Sequence, residues 1–253
     1  MKNLLSPEGE AALTAIMRRS PLLAFDFDGT LAPIVARPDD ARVPMPVARR
    51  LEQLATQLNV AIISGRRVED VLGRLQFDPA YVIGNHGAQD PGLASVDEPV
   101  HEMDSLRMRL HGGREMFQQL GVMVEDKGSS MAFHYRLARD RQAASDAISD
   151  VLTDLDPALR AFGGKLVVNV VAKSANDKAQ ALAVLVARCQ VGCAVFVGDD
   201  VNDEPVFARG EANWLTVRVG RDDPASQAQY FLDSVSDLPA MLEIMQAAIS
   251  QRT

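Results

Sequence analysis

Two carboxylates two residues apart, Asp26 and Asp28, lie in the string Asp26-Phe-Asp-Gly-Thr-Leu-Ala-Pro33, directly after a short apolar run. Like charges so close repel, and burying them uncompensated is costly, so the pair calls for a cation or a shared proton. An Asx turn would account for one Asp at a strand end but not for the whole string. A second acidic string, Gly198-Asp-Asp-Val-Asn-Asp-Glu204, follows another apolar run and carries Asp199, Asp200, Asp203 and Glu204. Alone it would read as a solvated loop. Beside the first pair, oxygen ligands from two loops suit Mg2+, which takes few carboxylates and keeps several waters. Ser64-Gly-Arg66 offers a hydroxyl and backbone N–H groups to phosphate oxygens, and Lys178 in Asn176-Asp-Lys178 offers a positive charge. Each is weak alone. Together they supply the nucleophile, cation site, hydroxyl and ammonium that phosphoryl transfer uses.

The elements that must position these residues are legible as apolar runs ending in small or polar clusters: 22–26, 60–64, 81–84, 193–198 and 214–219. Continuous hydrophobicity marks strands buried on both faces. Helical periodicity lies between them, over 47–58, 67–75, 177–188 and 237–249. Strand and helix in alternation predict an α/β fold with a parallel sheet, whose strand ends are where such sheets place ligands. The stretch 106–173 breaks the rhythm: helix to Leu120, strands 122–126 and 131–137 joined as a hairpin by Lys127-Gly-Ser-Ser130, helix 142–155, strand 166–171. We therefore expect a core of residues 1–105 and 174–253 interrupted by a small α+β unit, 106–173.

Composition bounds the partners. Hydrophobic residues are 47% and charged residues 24% of the 253, as in ordinary globular proteins. The formal charge of −8, without a basic run, argues against nucleic acid and anionic membranes. Apolar runs such as 182–187 are far shorter than the ~20 residues a membrane span needs, and the N-terminus does not read as a signal peptide. The two cysteines, Cys189 and Cys193, read as small core residues, so a reducing cytoplasm is the expected compartment. A monomer is expected.

Asp26-x-Asp28, Ser64, Lys178 and Asp199/Asp200/Asp203, in that order, resemble the four motifs of the haloacid dehalogenase (HAD) superfamily, and the insert resembles its type C2 cap. A closer resemblance is to the trehalose-6-phosphate phosphatase family, carried by Asp26 to Pro33, Ser64-Gly-Arg66, Gly84-Asn-His-Gly87, Glu125-Asp-Lys127, His134-Tyr-Arg136 and Gly198 to Glu204. This chain has Asn202 where that family usually has Thr, Ala179 where it has Gly, and Asn169 nearest to a sugar-binding Glu.

The resemblance implies a HAD-like Rossmannoid core with a cap that sets specificity, and hydrolysis of a sugar phosphate through an aspartyl-phosphate. Asp26 would be the nucleophile and Asp28 the general acid and base. Asp26, the Asp28 carbonyl and Asp199 would hold Mg2+, with Asp200 and Asp203 behind them. Ser64 and Lys178 would bind the phosphoryl oxygens. Glu125, Lys127, Arg136 and Asn169 would bind the sugar, with Arg66, Asn85 and Glu204 as further substrate contacts. Strand alternation puts Glu125 and Lys127 on one face; of His134 and Tyr135, one is expected to pack. The rivals are a phosphatase for sucrose phosphate or mannosyl-phosphoglycerate, a phosphomutase, and a non-catalytic regulatory domain.

Overall fold

A computed structural model describes residues 1–35, 37–93 and 101–251. The chain divides into two compact units, residues 1–91 with 176–253, and residues 92–175; the sequence placed the inserted unit at 106–173.

The larger unit begins with β1 (Lys2–Asn3), α1 (Pro7–Met17), β2 (Leu22–Phe25), α2 (Met45–Ala55), β3 (Val60–Ile63), α3 (Val68–Leu72) and β4 (Tyr81–Ile83). The inserted unit holds α4 (Asp104–Gln119), β5 (Met123–Asp126), β6 (Ser130–His134), α5 (Arg141–Leu152), β7 (Leu159–Gly164) and β8 (Val167–Ala172). The chain then returns with α6 (Lys178–Arg188), β9 (Ala194–Gly198), α7 (Glu204–Ala208), β10 (Trp214–Val219), β11 (Tyr230–Leu232) and α8 (Leu238–Ser250).

The larger unit is built on a seven-stranded, wholly parallel sheet in the order β1-β11-β10-β9-β2-β3-β4. Its strands bury both faces, which explains their unbroken hydrophobicity. Leu23, Phe25, Val60, Ile62, Val195 and Val197 join the cluster under α1, α2 and α8. Their neighbours Leu22, Ala24, Ala61, Ile63, Ala194 and Phe196 join the opposite cluster, under α6 and α7. From β2 the chain runs outward through β3 and β4, whereas β9 opens the run to the other edge. The β2/β9 seam is therefore the switch point, where a crevice forms at the carboxyl ends of the strands.

The inserted unit is an antiparallel sheet, β5-β6-β8-β7, with α4 and α5 contributing to a separate apolar cluster that includes Leu106, Phe117, Phe133, Ile148 and Val170. The expected hairpin is present as β5 and β6. The structure adds β1, α1, β7, α7 and β11 to the expected elements. β1 and β11 have only two and three residues. β7 is an edge strand, Leu-Arg-Ala-Phe-Gly-Gly, whose polar and glycine content hides it from a hydrophobicity reading. No described helix is long and apolar enough to cross a membrane.

Candidate active site

The expected strand 22–26 ends one residue earlier, at Phe25, so Asp26 stands at the mouth of the β2/β9 seam. Its backbone N–H still reaches the Val197 carbonyl at 2.8 Å, which fixes the turn that follows. Asp199 stands in the equivalent place beyond β9. Asp26, Asp199 and Asp203 are 4%, 1% and 0% exposed, and their carboxylates all lie within 4.8 Å of one another. Two glycines permit the convergence. A Cβ on Gly29, whose φ is +79°, would run into the Asp199 carboxylate, and one on Gly198 would run into that of Asp203.

Lys178, the first residue of α6, is fully buried among these acids, with Nζ 2.7 Å from Asp203 Oδ1 and 3.0 Å from Asp26 Oδ2. Burial alone would push its ammonium toward neutrality, but Asp203 and Asp26 outweigh that and raise its pKa, so it is charged. The Asp177 side chain and Gln180 form a capping box that anchors the helix start. Asp203 is held through both oxygens: Oδ1 takes Lys178 and Oδ2 takes the backbone N–H groups of Asp199 at 2.9 Å and Asp200 at 3.0 Å. Asp200 caps the short turn that carries Asp203.

Burial raises the Asp26 pKa well above the usual carboxylate range; Lys178 lowers it, while Asp203 and Asp199 add to the rise. Three buried carboxylates thus face one ammonium. That deficit of positive charge, with an all-oxygen donor set, fits a hard divalent cation. Asp203, expected behind the ligands, is the third carboxylate of the cluster, while Asp28 was expected to contribute only its backbone carbonyl. The Asp28 carboxylate instead lies against Arg66, whose Nε donates to Oδ2 at 2.6 Å and Nη2 to Oδ1 at 2.8 Å.

Ser64 is fully buried at the end of β3, and its Oγ accepts the Arg66 backbone N–H at 3.2 Å. The loop after β4 supports it. Asn85 and His86 both have positive φ, 48° and 60°, and that bend aims their N–H groups at the carbonyls of Arg66 and Ser64, each at 2.8 Å. Asn85 is 2% exposed. Glu204 accepts Arg218 Nη1 at 3.1 Å and the Gln227 N–H at 3.0 Å, which ties the acidic loop to β10.

In the inserted unit, strand register puts Glu125, Ala132, Asn169 and Phe162 in line across the sheet, hence on one face. The other face carries Phe133, Val168 and Val170 into the apolar cluster. Glu125 Oε2 is 3.1 Å from His134 Nε2 and 3.6 Å from Lys127 Nζ, and Asn169 is 4% exposed. Arg136 Nη2 reaches the Lys165 carbonyl at 3.5 Å. Tyr135 packs against the apolar cluster, while His134 belongs to the polar group.

Sequence reasoning passed over four contributors. Thr30 donates its hydroxyl to Asp199 Oδ1 at 3.3 Å. Asp70 in α3 and Arg74 just past its end, four residues apart, pair with each other and with Arg66 and Asp39 respectively; the i, i+4 acid–base spacing was their signal. Arg218, 2% exposed, had none, because it interrupts an apolar strand.

The trehalose-phosphatase family profile matches residues 24–236. Trehalose-6-phosphate phosphatase of Escherichia coli (strain K12) is 31% identical over 239 residues, which cover 90% of this chain and 87% of that protein. A Mycobacterium tuberculosis (strain ATCC 25618 / H37Rv) protein called an uncharacterized glycosyl hydrolase is 32% identical over 209 residues; the match takes 75% of this chain but spans only 15% of that protein's length. The C-terminal domain of Candida albicans trehalose-6-phosphate phosphatase superposes with a TM-score of 0.80 at 20% identity, covering 94% of this chain and 96% of that one. A HAD-superfamily phosphatase from Bacteroides thetaiotaomicron gives 0.62 at 17% identity over 91% and 96%. These likenesses show the HAD-like α/β fold.

Proposed function

Since the chain belongs to the trehalose-phosphatase family, we propose that it is a Mg2+-dependent phosphatase that hydrolyses trehalose 6-phosphate to trehalose and phosphate. The observation that carries the chemistry is the placement of Asp26 at the β2/β9 seam, within 3.0 Å of a buried ammonium. In this reading an Asp26 carboxylate oxygen attacks phosphorus, the bond from phosphorus to the sugar oxygen breaks, and an aspartyl-phosphate forms. Asp28 gives a proton to the departing sugar oxygen, then takes one from the water that attacks phosphorus and frees Asp26. The Ser64 hydroxyl and the Lys178 ammonium hold the phosphoryl oxygens.

Asp26, the Asp28 carbonyl and Asp199 would hold Mg2+, which when bound offsets phosphate charge and aligns the attack. Asp200 and Asp203 orient these ligands, consistent with the Asp203 contacts to Lys178 and to two backbone N–H groups. The sugar is read by the polar face of the smaller sheet, through Glu125, Lys127 and Asn169, and by Arg136; fixed donors and acceptors suit hydroxyl groups. Asn85 and Glu204 are additional substrate contacts in this reading. The net charge of −8 and two free thiols support a cytoplasmic monomer that binds a small sugar phosphate rather than nucleic acid.

The test is phosphate release with Mg2+ from trehalose 6-phosphate, sucrose 6-phosphate and glucose 6-phosphate. Preference for the first is expected. Preference for sucrose 6-phosphate would assign a different sugar-phosphate phosphatase, and no release from any would favour a regulatory domain.

A further inference from the structure

The Arg66 guanidinium is almost fully committed inside the larger unit. Nε and Nη2 fork onto the two oxygens of Asp28, Nη2 also donates to the Pro38 carbonyl at 2.8 Å, and Nη1 donates to Asp70 Oδ2 at 2.7 Å. Its carbon lies 5.3 Å from the centre of the Phe27 ring, and the side chain is 11% exposed. Such a group has little left with which to meet a sugar.

Its partners are themselves braced. Asp70 Oδ1 accepts Arg74 Nε at 2.7 Å, and Arg74 reaches the Asp39 carbonyl at 2.5 Å and Asp39 Oδ1 at 3.0 Å. Arg74 is 7% exposed. The chain Asp28–Arg66–Asp70–Arg74–Asp39 thus ties the loop after β2 to α3 and to the segment around Pro38. A planar fork matches a carboxylate in two parallel hydrogen bonds and so fixes its orientation as well as its position, which a lysine ammonium cannot do.

We propose that Arg66 is a positioning residue that aims the Asp28 carboxylate, with Asp70 and Arg74 holding Arg66 itself, rather than a contact to the sugar. The inference rests on the reading of Asp28 as general acid and base. A proton must reach the leaving oxygen of a sugar phosphate, whereas p-nitrophenolate leaves without one. Loss of aim at Asp28 therefore slows aspartyl-phosphate formation from a sugar phosphate and leaves its formation from p-nitrophenyl phosphate nearly intact, whereas the later attack of water, in which Asp28 takes a proton, slows alike for both.

The experiment measures the first-turnover rate of alcohol release, trehalose or p-nitrophenolate, and its half-saturating substrate concentration in wild type, Arg66→Lys, Asp28→Asn and the double variant, with Asp70→Asn as a milder disturbance that keeps Arg66 in place. Proton transfer contributes about 10²–10⁴-fold in such reactions, so Arg66→Lys is expected to lower the first-turnover rate on trehalose 6-phosphate by tenfold or more and on p-nitrophenyl phosphate by less than threefold. Adding it to Asp28→Asn should cost nothing more, since the group being aimed is gone. Asp70→Asn should show the same selectivity at smaller size, and it decides the matter if Arg66→Lys does not fold. A rise in the half-saturating concentration of the sugar phosphate with the first-turnover rate unchanged, equal first-turnover losses on both substrates, or an additive double variant would overturn the proposal. If Asp28→Asn itself loses equally on both substrates in the first turnover, the reading of Asp28 as general acid fails; if it is selective there and Arg66→Lys is not, the positioning role fails alone.

Discussion

Replacing Lys178 by Met keeps the length and packing of the side chain but removes the one ammonium among the acids. Nζ lies 2.7 Å from Asp203 and 3.0 Å from Asp26, with no exposure on the lysine. At an effective dielectric near 20, a pair about 3 Å apart is worth roughly 5 kcal/mol of Coulomb energy, against which the cost of dehydrating the lysine is saved. Removing one partner from a buried ion pair costs about 3–5 kcal/mol net, because the remaining charge is stranded. For a chain of this size each kcal/mol moves the midpoint by about 2–4 °C, so Lys178→Met should unfold about 6–20 °C lower in EDTA. Asp203→Asn added to it removes one stranded charge and keeps an acceptor for the N–H groups of Asp199 and Asp200, so the double variant should regain part of the loss. Mg2+ should raise the midpoint more in Lys178→Met than in wild type, since ligand stabilisation follows affinity for the folded state. Thermal unfolding with and without chelator reads all three. A single variant within about 1 kcal/mol of wild type, with no gain in the double, would refute the view that Lys178 neutralises this cluster.

Asp26→Asn should reduce phosphate release to background while the midpoint in EDTA stays equal or rises, because a buried charge is removed; substantial turnover would take the nucleophile role from Asp26. Exhaustive chelation should abolish wild-type activity and Mg2+ restore it, and full activity without metal would refute the assignment. Gly29→Ala puts a Cβ into the Asp199 carboxylate at φ +79°, so it should cost more than about 1 kcal/mol of stability and weaken Mg2+ binding by calorimetry; unaltered binding would show that Asp199 is not a ligand. Glu125→Ala and Lys127→Ala should cripple kcat and KM on trehalose 6-phosphate and spare p-nitrophenyl phosphate, whereas equal losses would mean that they only hold the sheet. Asp70 is partly buried, which raises its pKa, but hydrogen bonds from Arg74 and Arg66 outweigh this and hold it below the ordinary 3.8. Its folded pKa is thus below its unfolded one, so the stability gap between wild type and Asp70→Asn should be full above about pH 4 and vanish as pH falls through the lowered value; a gap that grows in acid would reverse the sign.

The parallel strands were legible because burial on both faces leaves no alternation to interpret: Val60–Ile63 and Ala194–Gly198 read as strands from hydrophobicity alone. What escaped was short, on an edge or patterned otherwise. β7 carries Arg160 and two glycines and pairs only with β8, so nothing in its sequence requires a strand until β8 is there to pair with it. α1 did carry a signal, Ser6 before Pro7 with Leu13, Ile16 and Met17 at helical spacing, and Ser6 indeed caps it. Within the site, residue types and order pointed to Asp26, Ser64, Lys178 and Asp199, since chemistry restricts their identities. Spacing along the chain says nothing of what a side chain faces. Hence Arg66 could be assigned to substrate as readily as to Asp28, and only the fold shows the fork.

The two aspartates that open the chemistry diverge because of what the fold puts beside each. Asp26 follows the central strand into the buried seam, keeps a backbone hydrogen bond to β9, and meets one ammonium and two further carboxylates. Asp28 is past the turn, with a side chain 37% exposed, and its only ion-pair partner among the described residues is an arginine that cannot lose its proton. A nucleophile profits from the first environment: its carboxylate is dehydrated, held by Lys178 and beside the place for a metal. A proton carrier profits from the second, where water reaches it and a fixed cation sets its direction without competing for the proton. One turn of chain, Asp26-Phe-Asp28, thus gives the two proposed roles different burial and different partners. Substituting Arg66 should therefore disturb the proposed proton carrier and leave the proposed nucleophile in place, because the Arg66 side chain hydrogen-bonds to Asp28, Asp70 and the Pro38 carbonyl. Single-turnover trapping of the aspartyl-phosphate from p-nitrophenyl phosphate should form it at near wild-type amplitude in Arg66→Lys. Failure to form it would mean that the two aspartates are not separable in this way.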